Sequence, residues 1–120
     1  MSGQPGGGVR LIVNADDLGW SEGVNQGIFR AHREGIVTSA TLAANMPGAQ
    51  AAVDQLADAA PALGVGIHLN VCQGPAMSDA AGEVLAGPGG HMDLKGAQVI
   101  RKCILRPRRT LAAIEQEFDA

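Results

Sequence analysis

The chain has 120 residues and a formal net charge of −3, which suits one domain and argues against nucleic acid or an anionic membrane as its main partner. Hydrophobic residues make up 46%, but they include two Phe, one Trp and no Tyr, so Ala, Val, Ile and Leu must build the core. That composition suits an α/β protein with close helix–sheet packing, and no run reaches the length of a membrane span. Residues 1–8 have neither a basic nor an apolar region and read as a disordered leader rather than a secretory signal. Residues 9–14 (Val-Arg-Leu-Ile-Val-Asn) read as a first strand buried on both faces. It ends in two adjacent carboxylates, Asp16 and Asp17, with Gly19 two residues on.

Ser21 is a plausible N-cap, and Glu22 suits the positive end of a helix running to about residue 34. Val24, Ile28 and Ala31 would form its buried face, and Gly35 would stop it. Residues 36–44 read as a second strand, followed by a turn at Asn45-Met46-Pro47-Gly48. Residues 49–60 carry Ala52, Val53, Leu56 and Ala60 at helical spacing before Pro61. Residues 63–70 read as a third strand, giving β-α-β-α-β with three parallel neighbours. Residues 71–90 are rich in Gly and Pro and read as a long irregular connection. A helix over 94–105 would end at Arg106-Pro107, and a second over 110–118 carries Leu111, Ile114 and Phe118 on one stripe. Cys72 and Cys103 fit no Cys-x-x-Cys pattern and read as free thiols, which suits a cytoplasmic location. Three strands cannot close a barrel and leave a sheet edge open, so the chain reads as an N-terminal portion.

Polar clusters fall at the carboxyl ends of all three expected strands: Asn14/Asp16/Asp17, Thr41/Asn45 and His68/Asn70. Ligands of parallel α/β folds bind at that end. Adjacent carboxylates beside a buried strand are unfavourable without a partner, and hard divalent cations take oxygen ligands. Alternation puts Gly66, His68 and Asn70 on one face of the third strand, with Gly66 leaving space beside the imidazole. A His/carboxylate set suits a hydrolytic divalent metal. The competing reading of Asp16-Asp17 is a solvated turn with an N-capping Asp. His32 fits a structural place near a helix C-terminus, and His91 lies in the irregular segment. The glycine-rich leader precedes a strand, whereas a phosphate-cradling loop must follow one.

The motifs Asn-Ala-Asp-Asp-Leu-Gly (14–19), Val-Asn-Gln-Gly-Ile (24–28), Ala-His-Arg-Glu-Gly-Ile-Val-Thr-Ser-Ala-Thr-Leu (31–42), Asn-Met-Pro (45–47) and Gly-Val-Gly-Ile-His-Leu-Asn (64–70) resemble the opening of a YdjC-type carbohydrate deacetylase. The match is continuous over about residues 10–75, and residues 115–120 resemble the helix end before that family's next motif. The resemblance implies a parallel (β/α) barrel of the polysaccharide-deacetylase type, here its first three β/α units within residues 9–120. It implies removal of acetyl groups from N-acetylated mono- or oligosaccharides, with a divalent metal, Mg²⁺ or Zn²⁺. Carried over, Asp17 and His68 are metal ligands and Asp16 resembles the general base. Asn14, Asn45 and Asn70 stand at the same strand ends as expected substrate contacts.

Two departures qualify the resemblance. The His-containing segment expected one strand later is absent from this sequence, leaving no third protein ligand and no general acid, so little or no activity is expected of it. Cys72 also stands where a Thr is more usual. The competing class is a non-catalytic sugar- or metabolite-binding module completed by self-association, as a homodimer, across the open edge. A two-carboxylate glycosidase needs acids about 5–10 Å apart across a cleft, which adjacent Asp16 and Asp17 fit poorly.

Overall fold

A computed structural model describes residues 9–120; the expected leader over residues 1–8 lies outside them. The core element is a three-stranded parallel sheet in the order β1 (Asn14–Leu18), β2 (Ser39–Leu42), β3 (Gly64–Ile67). Helices α1 (Glu22–Glu34) and α2 (Ala49–Ala59) connect the strands, so the alternating α/β order expected from the sequence is what forms. Ser21 caps α1, its side chain accepting from the Val24 amide at 3.3 Å. His32 reaches the Val37 carbonyl at 2.8 Å and so ties the end of α1 to the approach of β2.

The first strand begins later than its apolar run suggests. Leu11 and Ile12 are 72% and 79% exposed, and the ladder starts at Asn14, where β1 meets Ser39 of β2. Residues 9–12 therefore extend beyond the partner strand, and Val13 meets it, its carbonyl accepting from the Thr38 and Ser39 amides at 2.9 and 3.2 Å. β1 is also not buried on both faces: Asn14 and Asp16 are exposed, while Leu18 is fully buried.

One face of the sheet is covered. Leu18, Ala40 and Leu63 pack with Ile28 and Phe29 of α1 and Ala52 of α2 in a single cluster. The buried stripe of α1 centres on Asn25, Ile28 and Phe29 rather than on Val24, Ile28 and Ala31. In α2 the small residues Ala49 and Ala52 face the core, and Val53 is exposed instead of buried.

The segment expected to be irregular is ordered. β4 (Gln73–Pro75) pairs antiparallel with β5 (His91–Asp93) around a short helix α3 (Asp79–Val84), whose Ala81 and Leu85 pack with Met92 in a second cluster. Strands of three residues carry too little periodicity to be visible in the sequence. Two further helices follow, α4 (Gly96–Leu105) and α5 (Pro107–Asp119). Pro107 does not merely break the first; it starts the second at a first-turn position that needs no amide. The buried residues of α5 are Thr110, Ala113 and Glu117, one position before the stripe expected at Leu111, Ile114 and Phe118. Glu117 fixes that rotation, because its carboxylate accepts from the Met77 and Ser78 amides and the Ser78 hydroxyl at 2.8–3.1 Å.

Candidate metal and sugar site

The open face of the parallel sheet carries the polar residues. Asn14 and Asp16 of β1, Ser39 and Thr41 of β2, and His68 just past β3 are joined by hydrogen bonds across it. Ser39 donates to Asn14 Oδ1 at 2.8 Å, and Asn14 Nδ2 donates to Asp16 Oδ1 at 2.8 Å. Thr41 Oγ1 donates to the same Asp16 oxygen at 2.9 Å and lies 3.3 Å from His68 Nδ1. The backbone amide of His68 donates to the Leu42 carbonyl at 2.8 Å, so the imidazole is mounted on the continuation of the ladder.

Adjacent strand residues normally point to opposite faces, which would send Asp17 away from Asp16. The register shows how both serve one face. Ala15 pairs with Ala40 and Leu18 with Leu42, so three steps on β1 match two on β2. The extra residue is a β-bulge at Asp16–Asp17, and Asp17 sits in the left-handed region at φ 66°. A non-glycine residue there is held by its surroundings, a form of strain concentrated at functional sites. With the bulge, Asp17 Oδ1 comes within 3.7 Å of His68 Nδ1, and Leu18 still returns to the core.

The loop after the bulge is locked from behind. Asn25 of α1 is fully buried, accepts from the Gly19 amide at 2.7 Å and donates to the Gly48 carbonyl at 2.9 Å. Gly19, at φ 92°, touches Ala49 so closely that a Cβ would lie 3.0 Å from its Cα. Gly66 has nothing within 4 Å of where a Cβ would stand, and this leaves the open space beside the imidazole that its strand position predicts.

Asn45 and Asn70 are engaged with the chain itself. Asn45 Nδ2 donates to the carbonyls of Gln73 and Pro75 at 2.8 and 3.1 Å. Asn70 donates to Asn45 Oδ1 and the Gln73 carbonyl, and accepts from the Cys72 and Gln73 amides. Both hold the 70–75 loop as one wall of a cavity of about 290 Å³, lined also by Asp17, Trp20 and His68. His91 lies on β5, paired with Pro75, and takes no part in this cluster. A larger cavity of about 560 Å³ lies between α3, α4 and α5 among Arg101, Lys102, Arg106 and Arg109. It contains none of the strand-end residues, so size does not mark the chemistry here.

The Asp17–His68 pair suits a shared divalent cation. Its 3.7 Å separation is too long for a direct hydrogen bond. Bonds of about 2.0–2.2 Å from one ion to a carboxylate oxygen and an imidazole nitrogen reach across such a gap. Among the described residues, no group of three or more His, Cys, Asp or Glu side chains is arranged to hold a metal. What the described residues bring together at this spot is a pair, Asp17 and His68. Asn25 and Trp20 carry no signal as single letters in the sequence; only the fold reveals what they touch.

Comparison with known proteins agrees with the fold and sharpens the kinship. A carbohydrate deacetylase of Brevibacillus brevis is 54% identical over 81 residues, 68% of this chain and 32% of that protein. One from Halalkalibacterium halodurans is 44% identical over 95 residues, covering 78% of this chain and 39% of the relative. A chitooligosaccharide deacetylase of Proteus mirabilis is 50% identical over 68 residues, 57% of this chain and 26% of its own length. This chain spans about a third of the length of these curated relatives. A crystal structure from Enterococcus faecalis V583, of a protein described as a candidate for cellobiose-phosphate cleavage, superposes with a TM-score of 0.68 at 24% identity. It covers 88% of this chain and 43% of the other and supports the shared fold. Residues 10–120 match the family of YdjC-like proteins, and the chain belongs to that family.

Proposed function

We propose that this chain carries the first part of the active site of a metal-dependent hydrolase that removes acetyl groups from N-acetylated sugars. The observation that carries the reading is the convergence of Asp16 and His68 on Thr41 at the open face of a parallel sheet, with Asp17 3.7 Å from the same imidazole. The names of the relatives, all carbohydrate or chitooligosaccharide deacetylases, support the substrate class. On this reading the β1–β2–β3 sheet with α1 and α2 corresponds to the opening units of a (β/α) barrel, whose strand ends carry the chemistry.

Asp17 and His68 would hold the divalent cation, Mg²⁺ or Zn²⁺, facing each other at 3.7 Å. Once bound, the cation would polarise the acetamide carbonyl and acidify a water molecule. Asp16 is the base that removes a proton from the attacking water. Asn14 and Thr41 both donate to its Oδ1, so one carboxylate oxygen is anchored and, among the described residues, Oδ2 takes no hydrogen bond. Asn45 and Asn70 contribute to substrate binding through the loop they hold, which forms the far wall of the cavity.

Acetate release from N,N′-diacetylchitobiose by a protein that joins this chain to the remaining strands of a YdjC-like domain, which would supply the third ligand and the general acid, tests the proposal. Release that needs added Zn²⁺ or Mg²⁺, stops with chelator and is lost in Asp16→Asn is the expected result. The metal concentration at half-activity should rise in His68→Ala, which removes one of the proposed ligands. Acetate release indifferent to chelator and to Asp16→Asn would sink the reading. A non-catalytic module completed by a second copy would instead bind the sugar without metal and elute as a dimer; the exposed edge of β3 is the feature that favours it.

A further inference from the structure

We infer that Trp20 is the platform on which the sugar ring rests, placing the acetylated sugar against Asp17 and His68. The inference deepens the reading of this site as one for N-acetylated sugars and rests on it. Trp20 is the chain's one tryptophan and one of three aromatic residues in all. Phe29 is fully buried in the sheet–helix core, and Phe118, on α5, lines a separate smaller cavity of about 160 Å³ with His68 and Asn70 but without Asp17. Trp20 belongs to neither hydrophobic cluster, although it is the largest apolar side chain available to either. It stands half-buried in the wall of the 290 Å³ cavity that Asp17 and His68 also line.

The chemistry of that cavity fits a pyranose. A sugar ring has an apolar face of C–H groups and a polar rim of hydroxyls. The negatively charged face of an indole attracts polarised C–H groups and excludes water from them. The same cavity is lined by Asn70, Val71, Cys72 and Gln73; the Asn70 amide is spent on the loop, which leaves the Gln73 side chain for hydroxyls at the rim. Binding sites of this kind combine an apolar surface with a few convergent polar groups. The position of the platform is also fixed. The Trp20 amide donates to the Asp17 carbonyl at 3.0 Å, so the indole and the proposed metal ligand are held by the same turn. Gly19 between them is pinned by Asn25, and this stops the turn from drifting relative to β3.

A single tryptophan makes the test direct. Titrating the chain with N,N′-diacetylchitobiose in the presence of chelator should change the tryptophan emission saturably. Calorimetry on Trp20→Ala, with unchanged circular dichroism, should show binding weakened roughly threefold to tenfold, the range for one lost aromatic contact. Trp20→Phe should keep most of the affinity, since it retains an aromatic face. No saturable emission change, or wild-type affinity in a folded Trp20→Ala, overturns the platform. Acetate release without any emission response would remove the platform and leave the deacetylase reading intact. A saturable emission response without acetate release would do the opposite.

Discussion

Thr41 shows what one side chain does at this site. Its hydroxyl has a single proton, which goes to Asp16 Oδ1 at 2.9 Å, and its oxygen then faces His68 Nδ1 at 3.3 Å. The proton spent on Asp16 cannot also go to His68, so the Nδ1 lone pair of the proposed ligand stays available to a cation. Thr41→Val keeps the β-branched shape that suits the strand and deletes only the hydroxyl. Loss of a hydrogen bond to a charged group is worth about 1.5–3 kcal/mol, so kcat for acetate release should fall roughly tenfold to a hundredfold. Thr41→Ser should restore most of it, and KM should move little; a Val variant with wild-type kcat would dismiss the role. Asp16, Asp17 and His68 are legible in the sequence because charged and imidazole side chains at the ends of apolar runs have few structural uses. Thr41 is legible only as a member of a strand-end cluster. Its bond to Asp16 depends on a register between strands 25 residues apart, which no single stretch encodes.

At the scale of elements, the site depends on a bulge and the loop that follows it. The sequence reading puts the carboxylates after the first strand, whereas they lie within it and are turned to one face by an extra residue. Bulges leave no periodic trace, and a run of Val, Leu and Ile marks hydrophobicity without saying where a partner strand begins. The α1 cap at Ser21 and the order of strands and helices are legible because each rests on local chemistry. The glycine after the bulge has a checkable consequence. Gly19 has φ 92°, and a Cβ there would meet Ala49 Cα and Leu42 Cδ1 at 3.0 Å and the Ala43 carbonyl at 3.1 Å. Two of those three neighbours are backbone atoms and cannot swing aside. Gly19→Ala should therefore destabilise the fold by about 2–3 kcal/mol through strain and overpacking, read from the urea midpoint. Gly66→Ala, with open space around it, should leave that midpoint within about 1 kcal/mol of wild type. If both substitutions shifted the midpoint equally, close packing would not be what keeps glycine at position 19.

The whole molecule is elongated, with a radius of gyration of 18.4 Å, against roughly 13 Å for a compact domain of 100 residues. The reason is its two separate cores: the sheet with α1 and α2, and the small unit of β4, α3 and β5. The sequence reading sees the first and dissolves the second into a loop, since three-residue strands and a six-residue helix offer no stripe to detect. Asn45 is the bolt between them. It leaves β2 at the sheet end, is 9% exposed, and donates to the Gln73 and Pro75 carbonyls at either end of β4. Asn45→Asp keeps the shape and replaces the donor with an acceptor, so two carbonyls and a carboxylate oxygen would face one another in a nearly dry setting. Leaving such groups unpaired costs about 1–3 kcal/mol, and the smaller core bears the loss. Hydrogen exchange should then show protection falling first at Ala76 and Leu94, whose amides bond within or beside the hairpin. Ala43 and His68, bonded to Leu18 and Leu42 in the parallel sheet, should keep theirs. Equal loss at all four amides would mean that the cores unfold as one body and that Asn45 does not join them. Selective loss would mean that the cavity wall can open while Asp16, Asp17 and His68 stay in place, so sugar affinity would fall before the carboxylates and the imidazole separate.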